Sequence, residues 1–304
     1  MERIRAWITW ARRVAPERYL LLLLVLLAVG LWMVAWRSLP RPLEVVSFSV
    51  GDGDCFLVRA PSGRTVMIDC GSRSTKKVGA QVIVPNLLLL GVRKLDAIII
   101  THPDSDHVNG IPDVLDALPV DRIFDPEIPD ELTDYQQVVA LAKQKEIPRF
   151  RARAGELINL GGGVRLCLLA PVDPLITGTS SDTNNNCVVS LLEYRHAHML
   201  FTGDLQREGE QALLARGGVP HAEIMEAAHH GSHNGSSEAL LDTVKPYTTV
   251  ISCVGDVNSG HPHPALLARL RQRGIGILRT DVLGEIHLTT YGKDWHTTSY
   301  RQPE

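Results

Sequence analysis

The sequence is poor in aromatic residues and in cysteines. Aromatic side chains make up 5% of its 304 residues, and none of its five cysteines is spaced as C-x-x-C. That spacing is typical of structural zinc sites and thioredoxin-like redox motifs, so the cysteines support neither. Most of them lie in apolar runs, which favours buried free thiols, although a disulfide between Cys55 and Cys70 across a hairpin stays open.

Basic residues are in the minority beyond the first 41 positions. From Pro42 onward the chain has 31 − 7 = 24 Lys and Arg residues and 34 − 2 = 32 Asp and Glu residues, a formal charge near −8. Proteins that bind nucleic acid through their overall charge are usually basic. This balance argues against general nucleic-acid binding by the bulk of the chain.

One long apolar run stands apart from the rest. Residues 19–36 read YLLLLLVLLAVGLWMVAW, without a charged side chain, and this length is enough to cross a bilayer. The N-terminal flank is the more basic one, which places the N-terminus in the cytoplasm. A cleaved signal peptide is the alternative, but residues 34–38 offer no small-x-small cleavage site.

The sequence therefore predicts four segments. Residues 1–18 form a basic cytoplasmic segment, 19–36 a transmembrane signal anchor, 37–43 a linker, and 44–304 one large domain. We expect a single-pass protein of the cytoplasmic membrane whose large domain lies outside the cytoplasm.

Strand-like runs alternate with helical patterns over the large domain. EVVSFSV (44–50), CFLVRA (55–60) and LDAIII (95–100) predict strands, and DYQQVVALAKQKEI (134–147) predicts an amphipathic helix. A similar mixture follows in the second half, without low-complexity segments or short-period repeats. The pattern predicts an α/β fold, a two-sheet sandwich with helices outside.

The densest set of metal-binding residue types is THPDSDH at 101–107. Four potential ligands, His102, Asp104, Asp106 and His107, fall within six residues after an apolar strand. An extended loop points neighbouring side chains to opposite sides, so it can serve two ions. The alternative is an acidic loop in which Asp106 caps the next helix.

Two further apolar strands end in candidate ligands. Asp204 closes HMLFTGD, and His229 and His230 follow EIMEAA, with Gly231 leaving room for backbone or substrate. Each motif by itself is common in turns and on surfaces. Because all of them follow apolar strands, one sheet edge can bring them together.

These motifs, in this order, resemble the metallo-β-lactamase domain of ComEC-type competence DNA-uptake proteins. H-x-D-x-D-H, T-G-D and H-H-G-S are preceded by VGDGD (50–54) and MIDCG (67–71), and the similarity runs from about Val45 to Thr289. The resemblance implies an αββα metallo-β-lactamase sandwich, preceded here by one transmembrane helix.

The resemblance also implies two divalent ions that share one bridging carboxylate. His102 and Asp104 would hold the first ion, Asp106 and His107 the second, and Asp204 would bridge them. Asp106 would thereby belong to the catalytic centre as well as to the ligand set. Because Asp104 replaces a second His, the set is more anionic and suits Mn²⁺ as well as Zn²⁺.

The remaining implied roles concern the surroundings of the ions. His230 would complete the second site and His229 would face the substrate or leaving group, unless these two residues exchange roles. Asn186 would stand where many members of the fold have a third His for the first ion. The residues that support ligands or border the substrate would be Asp54, Asp69, Asn186, Gly231 and Ser232.

Other polar residues have weaker claims. Asp52 replaces the Gln usual in V-G-Q-G-D and adds negative charge near the site. Arg149, Arg151 and Arg153 alternate along one strand and are the best candidates for a phosphate track. His261, in the HPHP motif, more plausibly lies at the end of a loop without a metal role.

Two bound ions would lower the pKa of a bridging water and stabilise developing oxyanions at phosphorus. We therefore expect a phosphodiester hydrolase, a nuclease related to DNA uptake with single-stranded DNA as its substrate. The alternatives are a phosphodiesterase for a cell-surface or lipid-linked phosphoester and a non-catalytic domain that docks on a separately encoded uptake channel. Since the sequence has no counterpart of the multi-span channel, we expect no DNA transport by the chain itself.

Overall fold

A computed structural model describes residues 16–38, 40–128, 133–255 and 260–301 of the protein. The chain divides into two compact units, Met1–Arg41 and Pro42–Glu304. The basic segment predicted for 1–18 lies outside the described residues except for its last three positions.

The first unit contains helix α1 (Pro16–Ser38). Side chains are described within it from Arg18 to Met33, and the large apolar ones among them are exposed. No helix in the described part of the chain is both long and apolar enough to cross a membrane. The transmembrane anchor predicted at 19–36 is therefore not supported.

The described residues of the second unit form two sheets. The strands of the first sheet are β1 (Leu43–Ser47), β2 (Phe56–Arg59), β3 (Thr65–Ile68), β4 (Ala97–Ile99), β5 (Ile123–Asp125), β6 (Arg149–Arg151), β14 (Ile286–Thr290) and β15 (Trp295–Ser299). Their order is β15-β14-β1-β2-β3-β4-β5-β6. The sheet is antiparallel from β15 to β3 and parallel from β3 to β6.

The second sheet repeats this division into an antiparallel and a parallel part. Its strands are β7 (Leu157–Gly161), β8 (Val164–Ala170), β9 (Val189–Tyr194), β10 (Ala197–Phe201), β11 (Ile224–Glu226), β12 (Thr248–Ile251) and β13 (Gly276–Arg279). Their order is β13-β12-β11-β10-β9-β8-β7. Strands β7 to β10 pair antiparallel, and β10 to β13 pair parallel.

Short helices connect the strands. They are a π-helical turn (Gly79–Ile83), α2 (Val84–Leu89), α3 (Ser105–Val108), α4 (Ile111–Ala117), α5 (Thr133–Gln144), α6 (Asp182–Asn185), α7 (Arg207–Ala215), α8 (Ala228–Gly231), α9 (Glu238–Val244), α10 (Pro264–Gln272) and α11 (Thr280–Leu283).

Three buried apolar clusters define four layers. Val45 and Val58 face the second sheet, whereas their neighbours Val46 and Leu57 face the helices of the first sheet. A third cluster joins the other face of the second sheet to α7, α9 and α10. This alternation follows from the two-residue period of a strand and confirms the predicted sandwich with helices outside.

Arg149, Arg151 and Arg153, the predicted phosphate track, each pair with a protein carboxylate. Arg149 pairs with Asp125 at 2.7 Å, and both Arg151 and Arg153 bind Asp173, at 2.8 and 3.0 Å. These ion pairs would compete with a phosphate backbone for the three guanidinium groups, and the phosphate track stays a prediction. The Cys55–Cys70 disulfide is not formed, and all five cysteines are free thiols.

His287 of β14 makes the stability of the fold depend on pH. Its Nε2 lies 2.7 Å from Glu285 Oε1 and its Nδ1 lies 3.3 Å from Glu44 Oε1. Hydrogen bonds to Glu285 and then to Glu44 raise the pKa of His287 to about 9. A folded-state pKa above the unfolded value means that the stabilisation is complete below about pH 6.5 and is lost as the pH rises through about 9.

We expect His287→Gln to lower the free energy of unfolding by about 1–2 kcal/mol at pH 6 and by almost nothing at pH 10, after allowance for partial solvent screening. Denaturant unfolding at pH 6, 8 and 10 measures this difference. The control is His196→Gln, an exposed histidine in the β9–β10 turn. An equal loss at pH 6 and pH 10 would contradict the ion-pair explanation.

Candidate metal centre

The predicted ligands lie on three loops that leave the carboxyl ends of parallel-paired strands. The loop with His102 and His107 follows β4, Asp204 follows β10, and His229 and His230 follow β11. Ligands and catalytic groups commonly gather at this edge of a sheet. Here the two sheets bring all three loops to one place between them.

Asp69 fixes the beginning of the first loop. Its carboxylate accepts hydrogen bonds from the Thr101 N–H at 2.7 Å and from the Thr101 hydroxyl at 2.6 Å. It also lies 2.8 Å from His107 Nδ1. Since a carboxylate only accepts, Nδ1 of His107 carries a proton, which leaves Nε2 as the nitrogen that can bind an ion.

The same carboxylate orients His102 through Thr101. The Thr101 hydroxyl gives its single proton to Asp69, so at 3.0 Å it accepts from Nδ1 of His102. Nε2 of His102 is then the unprotonated nitrogen. One buried acid therefore sets the tautomer of two imidazoles, which is the arrangement that metal-binding histidines need.

His229 and His230 sit in a strained backbone. Their φ angles are 53° and 52°, in the left-handed region that non-glycine residues rarely adopt. The His229 N–H donates to Gly203 O at 3.1 Å, and the Ala228 N–H donates to Ser236 Oγ at 3.0 Å. These bonds hold the turn to the segment after β10 and to the loop before α9, and strained backbone of this kind is common at functional sites.

Small residues complete this turn. Gly231 has φ +84°, and a Cβ there would come within 2.8 Å of Pro262 Cβ, so the position requires glycine. Ser232 is buried, and its Oγ accepts from the Asn234 N–H at 3.3 Å. Both residues therefore shape the loop. These contacts do not bring either residue next to a metal-binding atom.

Asp204 stands between two groups of imidazoles. Its Oδ1 lies 3.2 Å from His107 Nε2 and 3.6 Å from His230 Nε2. Its Oδ2 lies 3.7 Å from His102 Nε2 and 3.5 Å from His229 Nε2. Each oxygen of the buried carboxylate thus faces a different pair of histidines.

Each group also contains one carboxylate from the first loop. Asp104 Oδ2 is 3.6 Å from His102 Nε2, and Asp106 Oδ2 is 3.4 Å from His230 Nε2. The two groups, which share Asp204, are His102, Asp104 and His229 on one side, and Asp106, His107 and His230 on the other.

Buried atoms without hydrogen-bond partners point into these groups. They include Nε2 of His102, of His107 and of His230, together with Oδ1 of Asp204. Leaving such atoms unpaired in the interior is costly, and acceptors that converge without donors fit a cation. The donor set therefore fits bound metal.

Asp54 lies behind the second group. Its Oδ2 is 3.9 Å from His107 Nδ1 and 3.6 Å from His230 Nδ1. One ligand atom each of Asp54, His107, Asp204 and His230 lie within 4.8 Å of one another. Because Asp54 faces Nδ1 atoms whereas Asp204 faces Nε2 atoms, Asp54 is better placed to orient the two rings than to share their ion.

Charged groups within the site shift one another's pKa values. Burial opposes the charge of Asp204, but His107, His230 and His229 hold its pKa well below the usual range. Burial likewise opposes the charge of His107, but Asp204 and Asp69 raise its pKa well above the usual value, so an ion bound at Nε2 would displace a proton. Burial lowers the pKa of His229, whose imidazole is therefore neutral near pH 7.

Asn184, rather than Asn186, is directed toward the centre. The Asn184 amide nitrogen lies 3.4 Å from Asp204 Oδ2. The Asn186 side chain instead bonds to the backbone N–H and carbonyl of Ile176, at 2.8 and 2.7 Å. The sequence does not show which of the two asparagines faces the site, because α6 carries no apolar pattern from which its orientation could be predicted.

Other residues at the site were missed or underrated by sequence reasoning. Glu226 accepts the N–H groups of Thr202 and Gly203 at 2.7 and 2.9 Å and so holds the turn before Asp204. His261 lies beside the histidine pair, with its ring 5.3 Å from that of His229. The HPHP motif was a signal for His261, whereas a lone Glu at the end of a strand gives none.

Comparison with known proteins identifies the family. Residues 49–255 match the metallo-beta-lactamase superfamily, which is more than half of the chain. The chain belongs to the metallo-β-lactamase superfamily. A solved member with the same fold is Tm1679, a metal-dependent hydrolase of the beta-lactamase superfamily, with TM-score 0.50 and 14% identity over 84% of this chain and 99% of that one.

Competence proteins are similar in sequence, which confirms the resemblance noted from the motifs. ComE operon protein 3 of Bacillus subtilis (strain 168) is 29% identical over 80% of this chain and 32% of its own length. Competence protein ComA of Neisseria gonorrhoeae is 30% identical over 86% of this chain and 34% of its own length. The chain spans about a third of the length of these relatives. The matches support a metal-dependent hydrolase related to competence proteins.

We expect Asp69→Asn to weaken metal binding about 10- to 100-fold, because the amide cannot accept from Thr101 and His107 as the carboxylate does. Competition with a chromogenic chelator measures the dissociation constant. Asp116→Asn, on the exposed face of α4, is the matched control. Unchanged metal affinity in Asp69→Asn would show that this carboxylate does not organise the ligands.

Proposed function

We propose that the protein is a two-metal phosphodiester hydrolase, a nuclease related to DNA uptake. The observation that carries this proposal is the division of the Asp204 oxygens between two groups of imidazoles, each with its own carboxylate. Carboxylate-bridged pairs of divalent ions are a recurrent solution for phosphodiester hydrolysis. The resemblance to ComEC-type competence DNA-uptake proteins, together with the similarity to competence relatives, favours DNA as the substrate.

The first ion would be held by His102, Asp104 and Asp204. The second would be held by Asp106, His107, His230 and Asp204, in line with the expectation that His230 rather than His229 completes this site. The donor set suits either Zn²⁺ or Mn²⁺. When bound, such ions supply a nucleophilic water of lowered pKa and neutralise charge on phosphoryl oxygens.

His229 is proposed to face the leaving oxygen and to donate a hydrogen bond to it. Its Nδ1 lies 3.2 Å from the amide nitrogen of Gln206. With that amide donating to Nδ1, the neutral imidazole carries its proton at Nε2, 3.5 Å from Asp204 Oδ2. A protonated Nε2 is no metal ligand, but it can donate a hydrogen bond to the substrate and stabilise the negative charge that develops on the leaving oxygen.

A second candidate is a phosphodiesterase for a cell-surface or lipid-linked phosphoester. It is favoured by the formal charge near −8 beyond residue 41, which gives no general attraction to a polyanion. The two candidates share the same reaction at the same site. They differ in what binds around it, so a substrate panel separates them.

We expect His107→Ala and Asp204→Ala to reduce Mn²⁺- or Zn²⁺-stimulated cleavage of single-stranded DNA and of bis-p-nitrophenyl phosphate by at least about 100-fold, because each removes an inner ligand. His196→Ala is the matched control. Initial rates with and without a chelator provide the measurement.

The pattern of activity decides among the alternatives. Cleavage of bis-p-nitrophenyl phosphate without cleavage of single- or double-stranded DNA would favour the cell-surface candidate. Equal activity in parent and ligand variants would exclude metal-dependent hydrolysis at this site. A purified chain without metal, even from metal-replete medium, would favour a non-catalytic domain that docks on a separate uptake channel.

Membrane attachment through residues 19–36 is a separate part of the proposal. It is supported by the exposed apolar side chains of α1, which water solvates poorly. We expect the full chain to remain in the membrane fraction after alkaline carbonate washing and a chain that begins at Pro42 to be released. Recovery of the full chain in the wash would contradict the attachment.

A further inference from the structure

A short segment after β3 places Arg73 at the solvent-exposed edge of the metal centre, which is called its mouth below. The Arg73 N–H donates to Asp52 O at 2.6 Å, and the Asp52 N–H donates to Ser74 Oγ at 2.9 Å. The hydroxyl of Ser72, next to it, donates to Val50 O at 2.6 Å. These bonds tie the segment to the 50–52 loop, so the Arg73 backbone is held in place.

The Arg73 side chain is exposed to solvent, and its guanidinium contacts the metal centre. Its Nη2 lies 2.7 Å from Asp106 Oδ2, whereas its side chain is 56% exposed. The Asp106 side chain is only 1% exposed. A guanidinium has more N–H donors than one carboxylate oxygen can accept, so further donors remain for a ligand that arrives from solvent.

Asp52 is the second carboxylate near this guanidinium, after Asp106. Its Oδ2 lies 3.9 Å from Arg73 Nη1, and its Oδ1 lies 3.2 Å from His261 Nδ1. The Asp52 side chain is itself only 7% exposed. Asp52 replaces the Gln usual in V-G-Q-G-D. It is not an unpaired negative charge beside the substrate, because cationic and polar groups surround it.

We propose that Arg73 binds a non-bridging phosphoryl oxygen of the substrate at the mouth of the metal centre, and that Asp52, together with Asp106, positions it. The proposal rests on the proposed phosphodiester hydrolysis. It assigns recognition of the anionic substrate to a side chain that is not a metal ligand. Planar guanidinium groups suit phosphate oxygens because two N–H groups can bind in parallel. A neutral carboxylic ester offers no such anionic oxygen, so Arg73 favours phosphate esters over substrates of that kind.

The test uses the full metal-loaded chain with Arg73→Gln, Arg73→Lys and Asp52→Asn. Arg271→Gln, an exposed arginine on α10, is the matched control. Calorimetry gives the dissociation constant of inorganic phosphate, steady-state kinetics give KM and kcat for bis-p-nitrophenyl phosphate, and elemental analysis gives the metal content of each variant.

For Arg73→Gln we expect phosphate binding about 10-fold weaker and KM about 10-fold higher, the effect of one lost charge-assisted hydrogen bond. The value of kcat should stay within about 3-fold and the metal content should not change. Arg73→Lys should recover part of the affinity, because it keeps the charge but not the planar pair of donors. Asp52→Asn should show a smaller change in the same direction.

Unchanged phosphate affinity and KM in Arg73→Gln would overturn the proposal. So would loss of metal with unaltered phosphate binding per loaded site, since Arg73 would then serve only as a partner of Asp106. An undetectable phosphate affinity in the parent protein would also overturn it. If the parent hydrolyses no phosphodiester but binds phosphate through Arg73, the proposed function fails and the anion site stands.

Discussion

A buried carboxylate is costly unless positive charge or hydrogen-bond donors surround it, and Asp204 is buried beside the further carboxylates of Asp54, Asp69 and Asp106. Protein groups offset only part of this concentration of negative charge. The imidazoles of His107 and His230 approach one oxygen of Asp204, but their Nε2 atoms have no hydrogen-bond partners. Divalent cations satisfy the carboxylates and the nitrogens together, so the centre depends on them for its balance of charge.

The rest of the domain keeps these groups close together, although the carboxylates repel one another and part of the backbone is strained. Asp69, His229 and His230 all adopt the left-handed backbone region, which is unfavourable for residues with side chains. They are kept there by hydrogen bonds to neighbouring loops, and those loops are held by strands buried in three apolar clusters. The sandwich thus supplies rigidity, and the loops at one edge of its sheets supply the chemistry.

Much of the layered architecture could be predicted from the sequence, because apolar alternation in runs such as 44–50 follows directly from strand geometry. The ligand loops could be located for a similar reason, since metal-binding residue types are concentrated at the ends of these runs. The sequence also predicted a transmembrane anchor, which the described part of helix α1 does not support.

Contacts between distant segments could not be predicted. Asn184 rather than Asn186 approaches Asp204 because of the way in which one turn of α6 is oriented. Arg151 and Arg153 are paired with Asp173, a residue of a later loop, and this pairing leaves no pattern along the sequence. Arg73 is brought to Asp106 by a loop that local propensity does not determine.

The most direct test of this account is the number of metal ions bound per chain, measured by elemental analysis of the full protein after reconstitution with Zn²⁺ or Mn²⁺ and removal of excess ion. We predict two ions per chain in the parent protein and a loss of both in Asp204→Ala, because each oxygen of this carboxylate faces a different group of ligands. A single ion in the parent, or two ions retained by Asp204→Ala, would contradict the shared two-metal centre.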